Sequence, residues 1–392
     1  MPVLTQELAY IALIFGLMVV PRMLQRWNMP APLSAFALGM LAAALMGGSS
    51  ADGTLALLAT LGISSLFLFA GLEVELSGLR RGLWPLLAHL AFHALALGAA
   101  VWLATRLVPL EWRSATLVAL AVLTPSTGFI LESLPRLGLD EYENFWVMNK
   151  AIGGELLALV VLFLTLQSES LGRLALSGAA LLAMLAGLPL LFLALMRHVV
   201  PYARGCEFSL LVMVGVVAAW LTKQLGVYYL VGAFVAGLVA RLLQERVPTL
   251  ASPANLHAVR LFASFFVPFY FFYRGLHVPG GALQWEALGL GLLLASAALP
   301  LRVGWLWLQR RVMFREDARS SLRVALALSP TLIFTLVLAG ILRERFGLPD
   351  AWYGALLVYA ALSTLLPSLA FPLATWPLAT PAATPAAGRQ GA

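Results

Sequence analysis

Runs of apolar residues long enough to cross a lipid bilayer recur along almost the whole chain, and no other feature narrows its folding options so far. Hydrocarbon about 30 Å thick calls for roughly 20 apolar residues in a helix that rises 1.5 Å per residue. Such runs fall at about 6–24, 31–48, 55–74, 83–108, 114–134, 144–167, 172–196, 206–223, 226–243, 259–278, 284–308, 319–342 and 351–374. They leave no room for a sizeable soluble domain. Lipid satisfies no backbone amide or carbonyl, so each run must satisfy its own by forming a helix. The sequence therefore predicts an all-α polytopic membrane protein of about thirteen transmembrane helices. Composition agrees, with 61% apolar and 11% charged residues against roughly 45–50% and about 25% in soluble domains.

The basic residues predict an orientation. Assigned to alternate loops, fifteen fall on one side: Arg22, Arg26, Arg80, Arg81, Arg136, Arg197, Arg204, Arg241, Arg246, Arg260, Arg310, Arg311, Arg315, Arg319 and Arg389. The other side holds six, Arg106, Arg113, Arg173, Lys223, Arg343 and Arg345. The positive-inside rule places the richer side in the cytoplasm, giving an N-terminus outside and a C-terminus inside a cell's inner (plasma) membrane. Only Met1 to Glu7 precede the first run, with no basic n-region or small-residue cleavage site, so that run is expected to be a retained helix. The net charge of +7 is then a topology signal and implies no nucleic-acid partner. Cys206 is the only cysteine, which excludes internal disulfides and cysteine-based metal sites. Residues 376–392, rich in Pro, Ala and Thr, are predicted to be a disordered tail.

Segments seven runs apart resemble one another. LSAFALGMLAAAL in 31–48 matches LVGAFVAGLVARLL in 226–243, each with a Gly three residues after an Ala-Phe pair. LFLFAGLEV in 55–74 matches FYFFYRGLHV in 259–278, and Leu-Thr-Pro-Ser-Thr in 114–134 matches Leu-Ser-Pro-Thr in 319–342. An odd offset makes the partners antiparallel across the membrane. This predicts two inverted-topology repeats, about 6–167 and 206–374, joined by a linking helix at about 172–196. Transporters built this way hold substrate at the repeat interface, near the bilayer midplane.

Two repeat-related prolines, Pro125 and Pro330, each interrupt a run midway. Proline removes a backbone donor and strands carbonyls that lipid cannot satisfy, so hydroxyls or a polar cavity must replace the lost bonds. Thr124, Ser126 and Thr127 flank the first break, and Ser329 and Thr331 the second. A crossing of two broken helices brings ends of like dipole sign together, which calls for compensating charge.

Ionisable groups inside spans are costly and are functional candidates by default. Glu155, midway along AIGGELLALVVLFL, is the clearest. A carboxylate there holds either a proton or a hard monovalent cation, and that competition alone couples the two flows. Arg302, in LPLRVGWLW, stays protonated; it is a candidate partner for Glu155, for the carbonyl ends at the crossing, or for the interface by snorkelling. Lys150 precedes Glu155 by five residues and points about 140° away from it at 100° per residue. Glu73 and Arg274 occupy comparable places beside Gly71 and Gly275 and are candidates for a gating or charge pair, or for interfacial anchors. His89 and His93 have an i,i+4 spacing that suits a metal, but no nearby acid or cysteine completes a site. The motifs supply no nucleophile with a base, no metal cluster and no phosphate-binding glycine loop, so neither an enzyme nor a cofactor is expected.

With these features in place, LFLFAGLEVELSGLRR, TPSTGFILESLPRLGL, AIGGELLALVVL, GAFVAGLVARLL and SLRVALALSPTLIFTLVLAG resemble the monovalent cation:proton antiporter-2 family, the Kef-type and bacterial sodium/proton exchangers. The resemblance runs over about residues 6–375. It implies a sodium/proton antiporter-like fold with a dimerisation domain, a mobile core that moves in an elevator-like cycle, a homodimer, and Na⁺ or K⁺ exchanged for protons. Glu155 falls at the second acid of the family's paired motif and Gly154 at the first; Ser126 and Thr127 match the polar pair of the first broken helix. Arg302 falls at or beside the family's embedded basic residue, and Ser329 and Pro330 match the second broken helix. Three features depart from the pattern. Glu replaces Asp, Gly replaces the first acid or amide, and Thr331, Leu332 and Ile333 replace an Arg-Gly-Glu. One carboxylate in the site makes one-for-one, electroneutral exchange the simplest expectation. No segment resembles the nucleotide-binding regulatory domain that follows many Kef-type members, so regulation by that route is not expected. Two further readings stay open. One is an organic-anion carrier on the same scaffold, with Arg274 and Arg302 holding a carboxylate; the other is a transport-incompetent membrane sensor or scaffold.

Overall fold

A computed structural model describes residues 2–27, 29–46, 53–74, 83–108, 110–203, 205–226 and 229–371. The expected tail at 376–392 lies outside them. The described residues form α-helices and short 3-10 turns and contain no strand. The helices are Pro2–Leu24 (α1), Ala31–Met46 (α2), Gly53–Leu72 (α3), Leu83–Leu107 (α4), Trp112–Leu123 (α5), Thr127–Ser133 (α6), Glu141–Gln167 (α7) and Leu171–His198 (α8). They continue with Glu207–Gln224 (α9), Tyr229–Leu242 (α10), Pro253–Leu276 (α11), Trp285–Met313 (α12), Ala318–Ala327 (α13), Leu332–Phe346 (α14) and Asp350–Ala370 (α15). Among the described residues nine segments are long and apolar enough to cross a membrane, or ten with the bent pair α13–α14 taken as one. α2 and α10, of 16 and 14 residues, are shorter than the runs at 31–48 and 226–243 led one to expect.

Local chemistry sets many of the ends. Asp140 opens α7 with a capping box, accepting from the Glu143 amide while the Glu143 carboxylate accepts from the Asp140 amide. Ser170, Ser252 and Asp317 accept from the first-turn amides of α8, α11 and α13. Gly347, at φ 63, closes α14 in the left-handed conformation that glycine adopts without steric cost.

The helices pack into two groups. α2, α3, α9, α10 and α11 form a panel in which α3 and α11 are the central members; α4, α7, α12 and α15 form a bundle around the two broken helices, α5–α6 and α13–α14. Glycines fix the panel. A Cβ on Gly39 would lie 2.1 Å from the Phe272 carbonyl oxygen, and one on Gly275 would lie 2.2 Å from that of Phe36, so α2 and α11 touch backbone to backbone. A Cβ on Gly71 would lie 2.2 Å from the Phe234 oxygen, and one on Gly237 2.1 Å from that of Leu68, which does the same for α3 and α10. In membranes, where helices gain no hydrophobic energy by leaving lipid, such small-residue contacts supply the attraction by close packing. The four glycines are those of the paired sequence motifs, and exchanging each motif for its partner turns one contact into the other.

Candidate ion site at the helix crossing

α5 stops at Leu123 because Pro125 has no amide to donate and its ring disfavours helical backbone just before it. Thr124 and Ser126 take extended conformations there, with ψ of 124° and 91°. The second break, 328–331, separates α13 from α14 and bends them by 45°. The two breaks touch directly, the Ser126 amide donating to the Pro330 carbonyl at 2.8 Å.

Each broken helix caps the other. The Ser126 hydroxyl oxygen accepts from the amides of Ile333 at 3.0 Å and Phe334 at 3.4 Å, the first turn of α14. In return the Thr335 hydroxyl donates to the Ala121 carbonyl at 2.7 Å, and the Tyr359 hydroxyl of α15 donates to the Val122 carbonyl at 2.7 Å. Arg302 reaches from α12 to the end of α13, donating to the carbonyls of Leu328 and Ser329, both at 2.7 Å. Its positive charge therefore sits at the negative pole of a helix dipole. At 6% exposed it does not snorkel, and among the described residues it forms no ion pair with Glu155. Of the three roles open to Arg302 in the sequence, the structure gives it the carbonyl ends.

Glu155 lies on α7 and is 3% exposed. Its carboxyl faces the backbone amide and hydroxyl of Thr127, the first residue of α6. A carboxylate at a helix N-terminus complements the positive end of the dipole. The Glu155 Oε2, the Thr127 hydroxyl and the Thr124 hydroxyl are all buried without a hydrogen-bond partner among the described residues. Gly154 packs on the break itself, since a Cβ there would meet the Pro125 ring at 3.4 Å. Thr124, Pro125, Thr127 and Glu155 are thus brought together, with Ser126 holding the crossing.

Other candidates lie apart from this point. Ser329 donates to the Ser363 carbonyl at 3.1 Å and the Thr331 hydroxyl sits 2.9 Å from that of Ser363, so both tie the second break to α15. Glu73 pairs with Arg260 at 3.4 Å. Arg274 donates to the Leu336 carbonyl on α14 at 2.9 Å and lies 3.9 Å from Glu344. Arg260 and Arg274 are fourteen residues apart on α11, about 21 Å at 1.5 Å per residue, so the expected Glu73–Arg274 charge pair does not form. Lys150 is fully buried with its ammonium over the rings of Trp146 and Phe314, 5.9 and 5.3 Å from their centroids. His89 Nδ1 bonds Gln309 Oε1 at 3.0 Å, and no group of three or more potential metal ligands exists among the described residues. Nothing in the sequence singled out Tyr359 or Ser363. Thr335 carried one weak signal, standing one helical turn after Thr331 in SPTLIFT.

Two broken helices thus cross and cap one another, with a guanidinium on one carbonyl end and a carboxylate on one amide end, and membership of an exchanger family makes the chain a transporter rather than an enzyme. The sodium/hydrogen exchanger transmembrane family matches residues 9–376, and the chain belongs to that family. No curated protein matches the sequence significantly. Among solved structures 36 chains match. One is the sodium proton antiporter MjNhaP1 from Methanocaldococcus jannaschii, with TM-score 0.68 and 15% identity over 94% of this chain and 96% of that one. That likeness shows the sodium/proton antiporter fold.

Proposed function

We propose that this chain exchanges a monovalent cation, Na⁺ or K⁺, for a proton at Glu155. The observation that carries this reading is the group of buried, unpartnered oxygens at the first break, Glu155 Oε2 with the Thr127 and Thr124 hydroxyls. Buried polar atoms are almost always hydrogen-bonded, and one left without a partner calls for a bound species. A hard cation is held by such oxygens; a proton on Glu155 discharges the same carboxylate and releases it. Gly154 leaves room beside the carboxylate that a second acid would fill. One carboxylate trades one charge for one charge, which makes the exchange electroneutral. Ser126, Pro125, Ser329, Pro330, Thr331 and Arg302 hold the crossing, and Lys150, Glu73 and Arg274 stand outside the ion site.

Family membership supports the reading, and so does the excess of arginine on one set of loops. That excess favours thirteen spans, an N-terminus outside and a cytoplasmic C-terminus in a plasma membrane, with the two sequence-related halves inverted. A homodimer is part of the same proposal. The organic-anion alternative loses support because both arginines it needs are spent on backbone carbonyls, Arg302 on Leu328 and Ser329 and Arg274 on Leu336.

The test is dye-reported proton movement in everted vesicles or proteoliposomes on addition of Na⁺, K⁺ or Li⁺, with charge movement followed on a solid-supported membrane. A pH response without current is expected, together with its loss in Glu155→Gln. Unchanged exchange in Glu155→Gln would refute the site.

A further inference from the structure

A cavity lies against the crossing itself, where Pro125, Gly154, Arg302 and Leu328 line it. It encloses about 670 Å³ between α4, α5, α7 and α12, and Glu155 does not line it. From Leu95 to Ala104 its α4 wall is leucine and alanine, about 14 Å of helix at 1.5 Å per residue, and Leu293 to Leu301 of α12 face it with the same chemistry. Several of these residues, Leu95, Leu103, Leu293 and Leu301 among them, are exposed on the lipid side. The groove thus opens to the bilayer along its length.

One end is different. Lys150, His93 and Trp305 line it, and Lys150 Nζ, His93 Nε2 and Trp305 Nε1 are all buried with no hydrogen-bond partner among the described residues. Lys150 is 0% exposed. Arg302 also lines the cavity, though its guanidinium is committed to the Leu328 and Ser329 carbonyls, and His89 is bonded to Gln309. No carboxylate lines the cavity. Glu316, the acid whose charge acts on Lys150, is paired with Arg310 and accepts from Tyr142. The Lys150 ammonium rests over the Trp146 and Phe314 rings but has no hydrogen-bond acceptor among the described residues; a buried charge without one is costly, and an anion at hydrogen-bonding distance offsets that cost.

We infer that this groove binds a single-chain amphiphile with an acidic head, a long-chain fatty acid, with its carboxylate against Lys150 and its hydrocarbon chain along α4 and α12. The chain by itself gives little preference, because lipid tails are as apolar as the groove. The head decides. Lys150 is nine residues into α7, about 13 Å from that helix's first residue. A small carboxylate can be drawn that far in, whereas a phosphodiester would bring its glycerol and second acyl chain with it. The inference does not depend on cation exchange at Glu155.

The test uses the full chain in nanodiscs and a palmitate analogue carrying a diazirine on its chain, with crosslinks mapped by peptide mass. Crosslinks on α4 and α12 are expected, competed by unlabelled palmitate and at least about tenfold less by palmityl alcohol. Lys150→Met should lower labelling about tenfold, and Ala99→Trp, which fills the lipid-facing groove and leaves Lys150 in place, should abolish it. A monodisperse elution profile and unchanged unfolding temperature show that each variant is folded. Equal labelling by an uncharged diazirine probe, or labelling untouched in both variants, would make the groove ordinary lipid-facing surface and overturn the assignment. Displacement by an anionic phospholipid more readily than by palmitate would overturn the choice of occupant.

Discussion

Replacing Arg302 by Met keeps a long apolar side chain and removes the guanidinium from the end of α13. Two charge-assisted bonds of 2.7 Å are lost, to Leu328 and Ser329. Bonds to charged groups contribute about 1.5–3 kcal/mol each, which sets the loss at about 3–6 kcal/mol. Hydrogen bonds between membrane helices average only about 0.6 kcal/mol, because the unfolded chain in lipid finds other partners; two of that kind would cost about 1.2 kcal/mol. The larger figure should hold here, since these carbonyls lie at a helix break and have no intrahelical partner to fall back on. Arg302→Lys keeps the charge but loses the two-pronged fit, and it should fall between Met and the native protein. Unfolding by SDS titration in mixed micelles measures the difference, with exchange in proteoliposomes as a parallel readout. A loss of about 1 kcal/mol or less in Arg302→Met would show that the guanidinium does not hold the crossing together.

Other outcomes can be checked with the same assays. Ser126→Ala removes the acceptor for the Ile333 and Phe334 amides and should cost about 0.5–2 kcal/mol, as other lost N-caps do; a variant as stable as the native protein would deny the exchanged cap. Gly275→Ala drives a methyl to 2.2 Å from the Phe36 oxygen and should cost about 1–3 kcal/mol. Gly16→Ala meets nothing within 4 Å and should be neutral or stabilising, so equal effects would contradict the packing described. Gly154→Asp adds a second carboxylate beside the first with only ordinary contact to Pro125. Solid-supported-membrane recordings should then show charge movement in the variant and none in the native protein.

Much of the frame could be read from spacing. Apolar runs marked the helices to within a few residues in most cases, and Pro125 and Pro330 marked both breaks, because lipid and proline act on the chain locally. The glycine motifs marked the repeat, but that they are close contacts between helices, and which glycine meets which, was a matter of three dimensions. What spacing could not supply was the source of the caps. Thr335 reaches Ala121 across 214 positions and Tyr359 reaches Val122 across 237, and either residue alone reads as an ordinary member of an apolar helix. Arg302 was visible as a buried charge, yet its partners are backbone carbonyls, which every residue carries and no sequence distinguishes. Glu73 and Arg274 misled for a related reason. Their places in matching motifs suggested a pair, but matching motifs in antiparallel helices lie toward opposite ends of the molecule.

The glycine contacts of the panel also bear on what such a molecule can do mechanically. Backbone pressed on backbone at Gly39–Gly275 and Gly71–Gly237 has no flexible atoms to yield, so the panel resists shear like a bolted plate. The bundle meets that plate differently. α6 reaches it through Gly128, whose near neighbour is the branched end of the Leu66 side chain on α3, 2.8 Å from where a Cβ would sit. A leucine can change rotamer as another surface slides past, and a glycine offers nothing to catch on. That boundary can therefore yield where the panel cannot, as in a bearing.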